Sequence, residues 1–183
     1  MADSGFSAKS EAHQAAFSDE DLRRAMELLF FAYRDFTAEA DALLADFGFG
    51  RAHHRVIYFV GRHPGMIVSE LLEILKITKQ SLSRVLGQLI DDGFIHQRTD
   101  AADRRRRRLN LTAKGAELEH HLTDRQSRHI ADAYREAGGE AAAGFCTVLR
   151  ALINEEDRRR VAPGEIPSGV REIGAREIGG AAE

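Results

Sequence analysis

Residues 67–112 constrain this chain more than any other stretch. A short amphipathic segment sets Leu71, Leu72 and Leu75 against Glu70, Glu73 and Lys76, and a four-residue break centred on Ile77 follows. A second helix is expected from Thr78, whose hydroxyl suits an N-cap because it can accept from the unpaired N–H groups of the first turn. Leu82, Val85, Leu86, Leu89 and Ile90 recur at the spacing of one buried helical face. Thr78, Lys79, Gln80, Ser81, Ser83 and Arg84 then crowd the N-terminal end of that helix, all able to hydrogen-bond to phosphate or to base edges. A helix with a polar tip and an anchored far face has the build needed to enter a major groove. These six are the expected DNA-reading residues, with Gln80 suited to adenine and Arg84 to guanine or a phosphate.

The residues that follow extend the pattern. Asp91 and Asp92 lead to Gly93, which is placed for the left-handed position just past a helix end. Phe94 to Thr99 is expected as one strand and Arg107 to Thr112 as its return, with Met66, Ile67 and Val68 adding a short third strand. Between the two main strands lie Asp100, Ala101, Ala102, Asp103 and the arginines 104–108. Alternation along the return strand puts Leu109 and Leu111 on one side and Arg108 and Asn110 on the other. Two strands with a basic tip form a wing that can follow the backbone or enter the minor groove, where a narrow groove draws in guanidinium groups.

In this order the elements resemble the MarR family of bacterial transcription regulators. The helix-turn-helix carries the resemblance together with Asp91-Asp92-Gly93-Phe94-Ile95, the wing residues Asp103-Arg104-Arg105, and the exit from Leu109 through Thr112 to Gly115. The resemblance runs along residues 18 to 160 or so. It implies a mainly α fold with a small β-wing: a winged helix-turn-helix over 50–112, flanked by dimerisation helices over 18–48 and 113–161. It implies that Arg105 enters the minor groove with Asp103 orienting it, while Arg104 and Arg106 contact phosphates. Double-stranded DNA and a second copy of the chain are the implied partners, with repression at a palindromic operator relieved by a small molecule. The family's pocket, between dimerising helices and reading head, implies Tyr33, Phe36, His53, Arg55 and Tyr58 around a small aromatic or carboxylate effector.

The flanking sequence agrees with that plan. Ser18-Asp19-Glu20-Asp21 reads as a helix-capping signature, opening a helix expected to reach about Phe47. Leu22, Met26, Leu29, Tyr33, Phe36, Ala40, Leu43 and Leu44 follow one stripe, and Leu28, Phe30 and Phe31 add apolar surface beyond it. A helix with that much apolar surface is deeply buried or shared with a partner. A second helix runs from Arg51 to His63, stopped by Pro64. A long helix covers Ala113 to Ala137, Gly138 and Gly139 break it, and a last helix is expected from Glu140 to about Val161. Residues 1–17 read as a flexible arm and 162–183 as a disordered tail.

Charge is distributed unevenly. The chain of 183 residues carries a net charge of −3. From Lys76 to Lys114, ten Lys or Arg stand against four Asp, a local +6 that leaves −9 for the remainder. A basic patch on an acidic body lets one face bind phosphate while the rest repels it. The single cysteine excludes an internal disulfide and suits a reducing cytoplasm. No apolar run is long enough to span a bilayer, so no membrane partner is expected. Neither a phosphate-binding glycine loop, a nucleophile elbow nor a paired metal motif is visible, so the reading is non-enzymatic and without cofactor or metal. His53-His54 and His120-His121 are adjacent pairs that diverge around a helix and cannot chelate alone. Cys146 reads as a packing residue. The competing reading is a protein-interaction or non-specific architectural module that uses the winged helix for docking, against which stands the absence of aromatics at the start of the helix at Thr78.

Overall fold

The computed structural model describes residues 17–100 and 106–161. The first helix, α1, spans Asp19–Ala45. Ser18 caps it as expected: its Oγ accepts from the Asp21 N–H at 3.1 Å, and the Asp21 carboxylate accepts from the Ser18 N–H at 3.2 Å. Asp19, Glu20 and Asp21 place negative charge at the positive end of the helix dipole. After a tight turn through Phe47 and Gly48, α2 covers Arg51–Arg62, α3 Val68–Leu75 and α4 Lys79–Asp91.

Strands β1, Ile95–Thr99, and β2, Arg107–Leu111, pair antiparallel with Ile95 opposite Leu111 and Thr99 opposite Arg107. The expected third strand at Met66–Val68 reduces to one bridge, Ile67 to Arg108. Val68 already begins α3, whose first turn is tied down when the Glu70 carboxylate accepts from the Ile67 N–H at 2.8 Å. Gly65 and Met66 nevertheless complete the pairing, through Gly65 N–H to Leu109 O and Leu109 N–H to Met66 O.

Gly93 has φ +76°, a conformation that costs an L side chain but not glycine, and it turns the chain from α4 into β1. Thr112 then starts α5, Ala113–Ala137, by accepting from the Gly115 N–H at 3.1 Å. Gly115 has a steric role: a Cβ there would run into the Phe94 carbonyl oxygen. The turn out of the wing can therefore close on α5 only at a residue with no side chain.

The last helix departs from the sequence expectation. It is not continuous from Glu140 to Val161. Helix α6 spans Gly139–Leu152, Ile153 turns extended at φ −75° and ψ 135°, and a short α7 covers Glu155–Arg158. Arg158 folds back to donate to the carbonyls of Ala151 and Ile153, supplying partners for the open end of α6. Asp157 meets Lys76 at 2.7 Å and Arg160 meets Glu73 at 3.0 Å, tying this segment to α3. No proline or glycine marks the break; beyond it the chain is held by Arg158 and tethered to α3 by exposed ion pairs.

The core sits under the helix-turn-helix. Val56, Ile57 and Val60 of α2, Leu71 of α3, Leu82, Val85, Leu86 and Leu89 of α4, Phe94, Ile95 and Leu109 of the wing, and Leu118 and Leu122 of α5 are all buried together. Only the C-terminal half of α1 reaches this core, through Ala40 and Leu44. Its N-terminal half is exposed throughout.

Candidate nucleic-acid interface

Helix α4 is held by its apolar face and presents its polar first turn outward. Leu82, Val85, Leu86 and Leu89 are buried, while Thr78, Lys79, Gln80, Ser81, Ser83 and Arg84 are exposed. Thr78 acts as the cap: its Oγ1 accepts from the Ser81 N–H at 3.1 Å and donates to Ser81 Oγ at 2.9 Å. That engagement makes Thr78 and Ser81 shapers of the helix start, and leaves Lys79, Gln80, Ser83 and Arg84 as the outward groups. Lys79 and Arg84 form no ion pair with the described residues, so their charges face solvent uncompensated.

The far end of α4 is fixed by a histidine. His53 accepts the Gly50 N–H on Nδ1 at 3.1 Å, which leaves the proton on Nε2 to be donated to Gln88 Oε1 at 3.0 Å. Its ring stacks on Phe49 with centroids 4.8 Å apart. Phe49 in turn meets Phe94 edge-on at 5.1 Å. The start of α2 thus grips the recognition helix by one face.

At the wing, Asp103, Arg104 and Arg105 lie outside the described residues. Arg106 is exposed on the approach to β2. Two further arginines of the run serve the wing itself. Arg107 donates to Thr99 Oγ1 across the hairpin at 2.9 Å. Arg108 donates from Nε to the carboxylate of Asp100 at 2.8 Å, with its terminal nitrogen 2.6 Å from the same oxygen, and from the other to Gly65 O at 3.1 Å. Asp100 is only 6% exposed, and Arg108 brings a positive charge to its buried carboxylate. Sequence reasoning missed this anchor; the available signal was an Asp at the start of the loop facing a cation on the return strand.

A second feature adjoins the head. A cavity of about 390 Å³ lies between α1, α2 and α5, and Tyr33, Phe36, Arg55 and Tyr58 line it. His53 does not; it points to Gln88, and its neighbour His54 faces the cavity instead, because adjacent residues diverge by about 100° around a helix. The Arg55 guanidinium donates to the Tyr33 hydroxyl at 3.0 Å. Burial pushes the His54 imidazole below its ordinary value, with Arg55 adding to that and Asp41 and Glu119 opposing it. Cys146 is half-buried and lies 3.2 Å from the Tyr134 hydroxyl; that contact, with burial, pushes the Tyr134 phenol up to about 12.

No described helix is long and apolar enough to cross a membrane. Among the described residues no cluster of three metal-ligating side chains occurs.

Comparison with known proteins agrees with this architecture. The model of the MarR family matches residues 47–106, from the turn before α2 into the arginine run. The crystal structure of MarR superposes with a TM-score of 0.59 at 24% identity, covering 79% of this chain and 96% of that one. Streptococcus pneumoniae FabT, solved in complex with DNA, superposes with a TM-score of 0.62 at 23% identity over 72% of this chain and 94% of its own. At these identities the two structures speak for the fold. A relative in sequence goes further: the HTH-type transcriptional regulator PetP of Rhodobacter capsulatus is 49% identical over 142 residues, which is 78% of this chain and 86% of that protein. With half its residues shared along most of both sequences, and a winged helix-turn-helix at its centre, this chain belongs to the MarR family and is a transcriptional regulator of MarR type.

Proposed function

We propose that the chain acts as a homodimeric repressor that reads a palindromic operator and lets go when a small molecule binds. The observation that carries the reading is the first turn of α4. Lys79, Gln80, Ser83 and Arg84 project from a helix whose opposite face is fully buried, so they can enter a major groove without unfolding anything. Gln80 has the donor and acceptor pair that matches adenine, and Arg84 the fork that matches guanine or a phosphate. The wing adds Arg105 in the minor groove, oriented by Asp103, with Arg104 and Arg106 on phosphates. FabT, a protein of the same fold, has been solved on DNA.

The dimer is supported by surface that a single chain leaves uncovered. On α1, Met26, Leu28 and Phe30 are 69, 64 and 63% exposed, and on α6 and at its end Val148 and Leu152 are 59 and 65% exposed. Apolar patches of this kind mark association surfaces. A two-fold pairing would set two recognition helices about 34 Å apart, one turn of DNA, and double the base contacts.

Effector release is supported by the cavity beside α2. Arg51, His54 and Arg55 face it from the same helical turn whose other side holds Gln88 of α4 through His53. A ligand that displaces this turn would tilt the recognition helix and spoil its register on the operator.

The test is selection of bound sequences from a random duplex pool at near-physiological salt. The expected result is a palindrome with half-sites about one helical turn apart. Binding without any enriched motif would overturn the operator reading and return the head to docking or architectural use.

A further inference from the structure

The turn between α3 and α4 carries a cation that the reading face does not use. Lys76 caps α3 in the left-handed conformation, at φ 49° and ψ 40°, and among the described residues no other non-glycine has a positive φ. A Cβ disfavours that conformation, which glycine adopts freely. Strain kept at one residue directs attention to its side chain. Lys79, at the tip of the recognition helix, follows three residues later, so the two Cα atoms lie within about 11 Å. Lys79 and Arg84 form no ion pair with the described residues, whereas Lys76 meets Asp157 at 2.7 Å and Glu156 at 3.9 Å. Both acids belong to α7, and Asp157 stands 81 residues further along the chain. Arg160, just past α7, meanwhile occupies Glu73, the acid of α3 nearest to Lys76 in sequence, at 3.0 Å. What α7 sets against Lys76 itself is therefore negative charge.

We propose that Lys76 is a further phosphate-binding residue of the head, and that Asp157 and Glu156 occupy it while no DNA is bound. The acidic start of α7 then holds the head's affinity down. The proposal rests on the binding of duplex DNA by the head, and adds to it one residue and the groups that withhold that residue. An ammonium has three donors and no acceptor, so carboxylate and phosphate oxygens compete for it on the same terms. The pair is open to water, with Lys76 49% and Asp157 29% exposed, and an exposed pair is weak enough to exchange. A duplex brings one phosphate charge for about every 1.7 Å of its axis, which supplies the competitor.

The experiment measures binding of the full chain to a fluorescent duplex of mixed sequence, by anisotropy, between about 50 and 200 mM salt. Mixed sequence suffices because phosphate contacts carry no sequence information. Glu156→Gln combined with Asp157→Asn should bind on the order of three- to fivefold tighter than wild type at near-physiological salt. One more released counterion steepens the log-affinity versus log-salt slope by about 0.9, so the advantage should shrink roughly 3.5-fold across that salt range. Lys76→Gln alone should change affinity by less than about twofold, because its ammonium is already taken. Added to the double variant, Lys76→Gln should cancel the advantage. Asp157→Glu, which keeps the charge, should bind like wild type. Denaturant melts should not move, and Asp157→Asn alone carries the test should the double variant fail to fold.

An advantage that survives Lys76→Gln would mean that the acids repel DNA without holding this lysine, and would overturn the proposal. Equal losses on Lys76→Gln in both backgrounds would overturn it too, since Lys76 would then contact DNA whatever α7 does. So would the lack of any advantage at low salt. In those three cases wild type still binds the duplex and the DNA-binding head stands. A wild-type chain that binds no duplex at low salt would overturn both.

Discussion

In the reading head, Leu71, Leu89 and Leu109 are wholly buried and Leu82 and Phe94 are within 2% of it; on α1, Met26, Leu28 and Phe30 stand mostly in solvent. Both regions are rich in large apolar side chains. The head closes its core within one chain because α2, α3, α4, the two wing strands and the start of α5 converge on it from different directions. The N-terminal half of α1 has no such neighbours. Hydrophobic burial is worth about 25 cal/mol per Å², so the head carries its own stability while α1 offers its apolar area to whatever covers it. The difference separates a rigid platform for reading from an apolar surface that, in the dimer proposed above, would set how two platforms are spaced.

The largest expected effect comes from breaking the platform. Leu89→Ala removes a fully buried side chain from the face that seats α4 and should cost about 2–5 kcal/mol of unfolding free energy. Denaturant melts should show the loss at every protein concentration. Leu28→Glu combined with Phe30→Glu tests the other side of the comparison. It should leave the head folded by hydrogen exchange, shift sedimentation toward a monomer, and weaken operator binding on the order of a hundredfold through loss of the second half-site. If it unfolded the head instead, head and α1 would form one cooperative unit rather than a platform and a separate surface.

Smaller effects sharpen the picture. Arg84→Ala should lower discrimination for the operator by about 1–3 kcal/mol without moving the melting curve, as competition binding against mutated half-sites would show. Lys76→Ala removes the exposed pairs to Asp157 and Glu156. Exposed ion pairs are screened and contribute little. Its stability change should therefore be the smallest of the series and vanish in high salt; a large change at high salt would mean that α7 is more than a surface tether.

Much of the site was legible beforehand because its signals are local. Thr78 as cap, Gly93 as helix terminator and the buried face of α4 follow from residue type and helical spacing within a few positions. The roles of Arg108 and His53 were not legible. Arg108 belongs to a run of five like residues, and only the pairing of β2 with β1 and with Gly65 brings it to Asp100. His53 and His54 are chemically identical neighbours, so nothing in the sequence says which turns to Gln88 and which to the cavity.

The order and type of the elements, the caps, the wing and its basic charge were determined by the amino-acid sequence alone, since hydrogen-bonding groups and apolar periodicity act over one or two turns of chain. Tertiary structure decided the rest. It set the break of the last helix at Ile153, where Arg158 closes the end of α6 and Lys76 tethers the segment beyond it. It committed Arg108 to the wing's foundation and aimed His54 at the cavity, because the side chains that make those positions favourable come from elements distant in sequence.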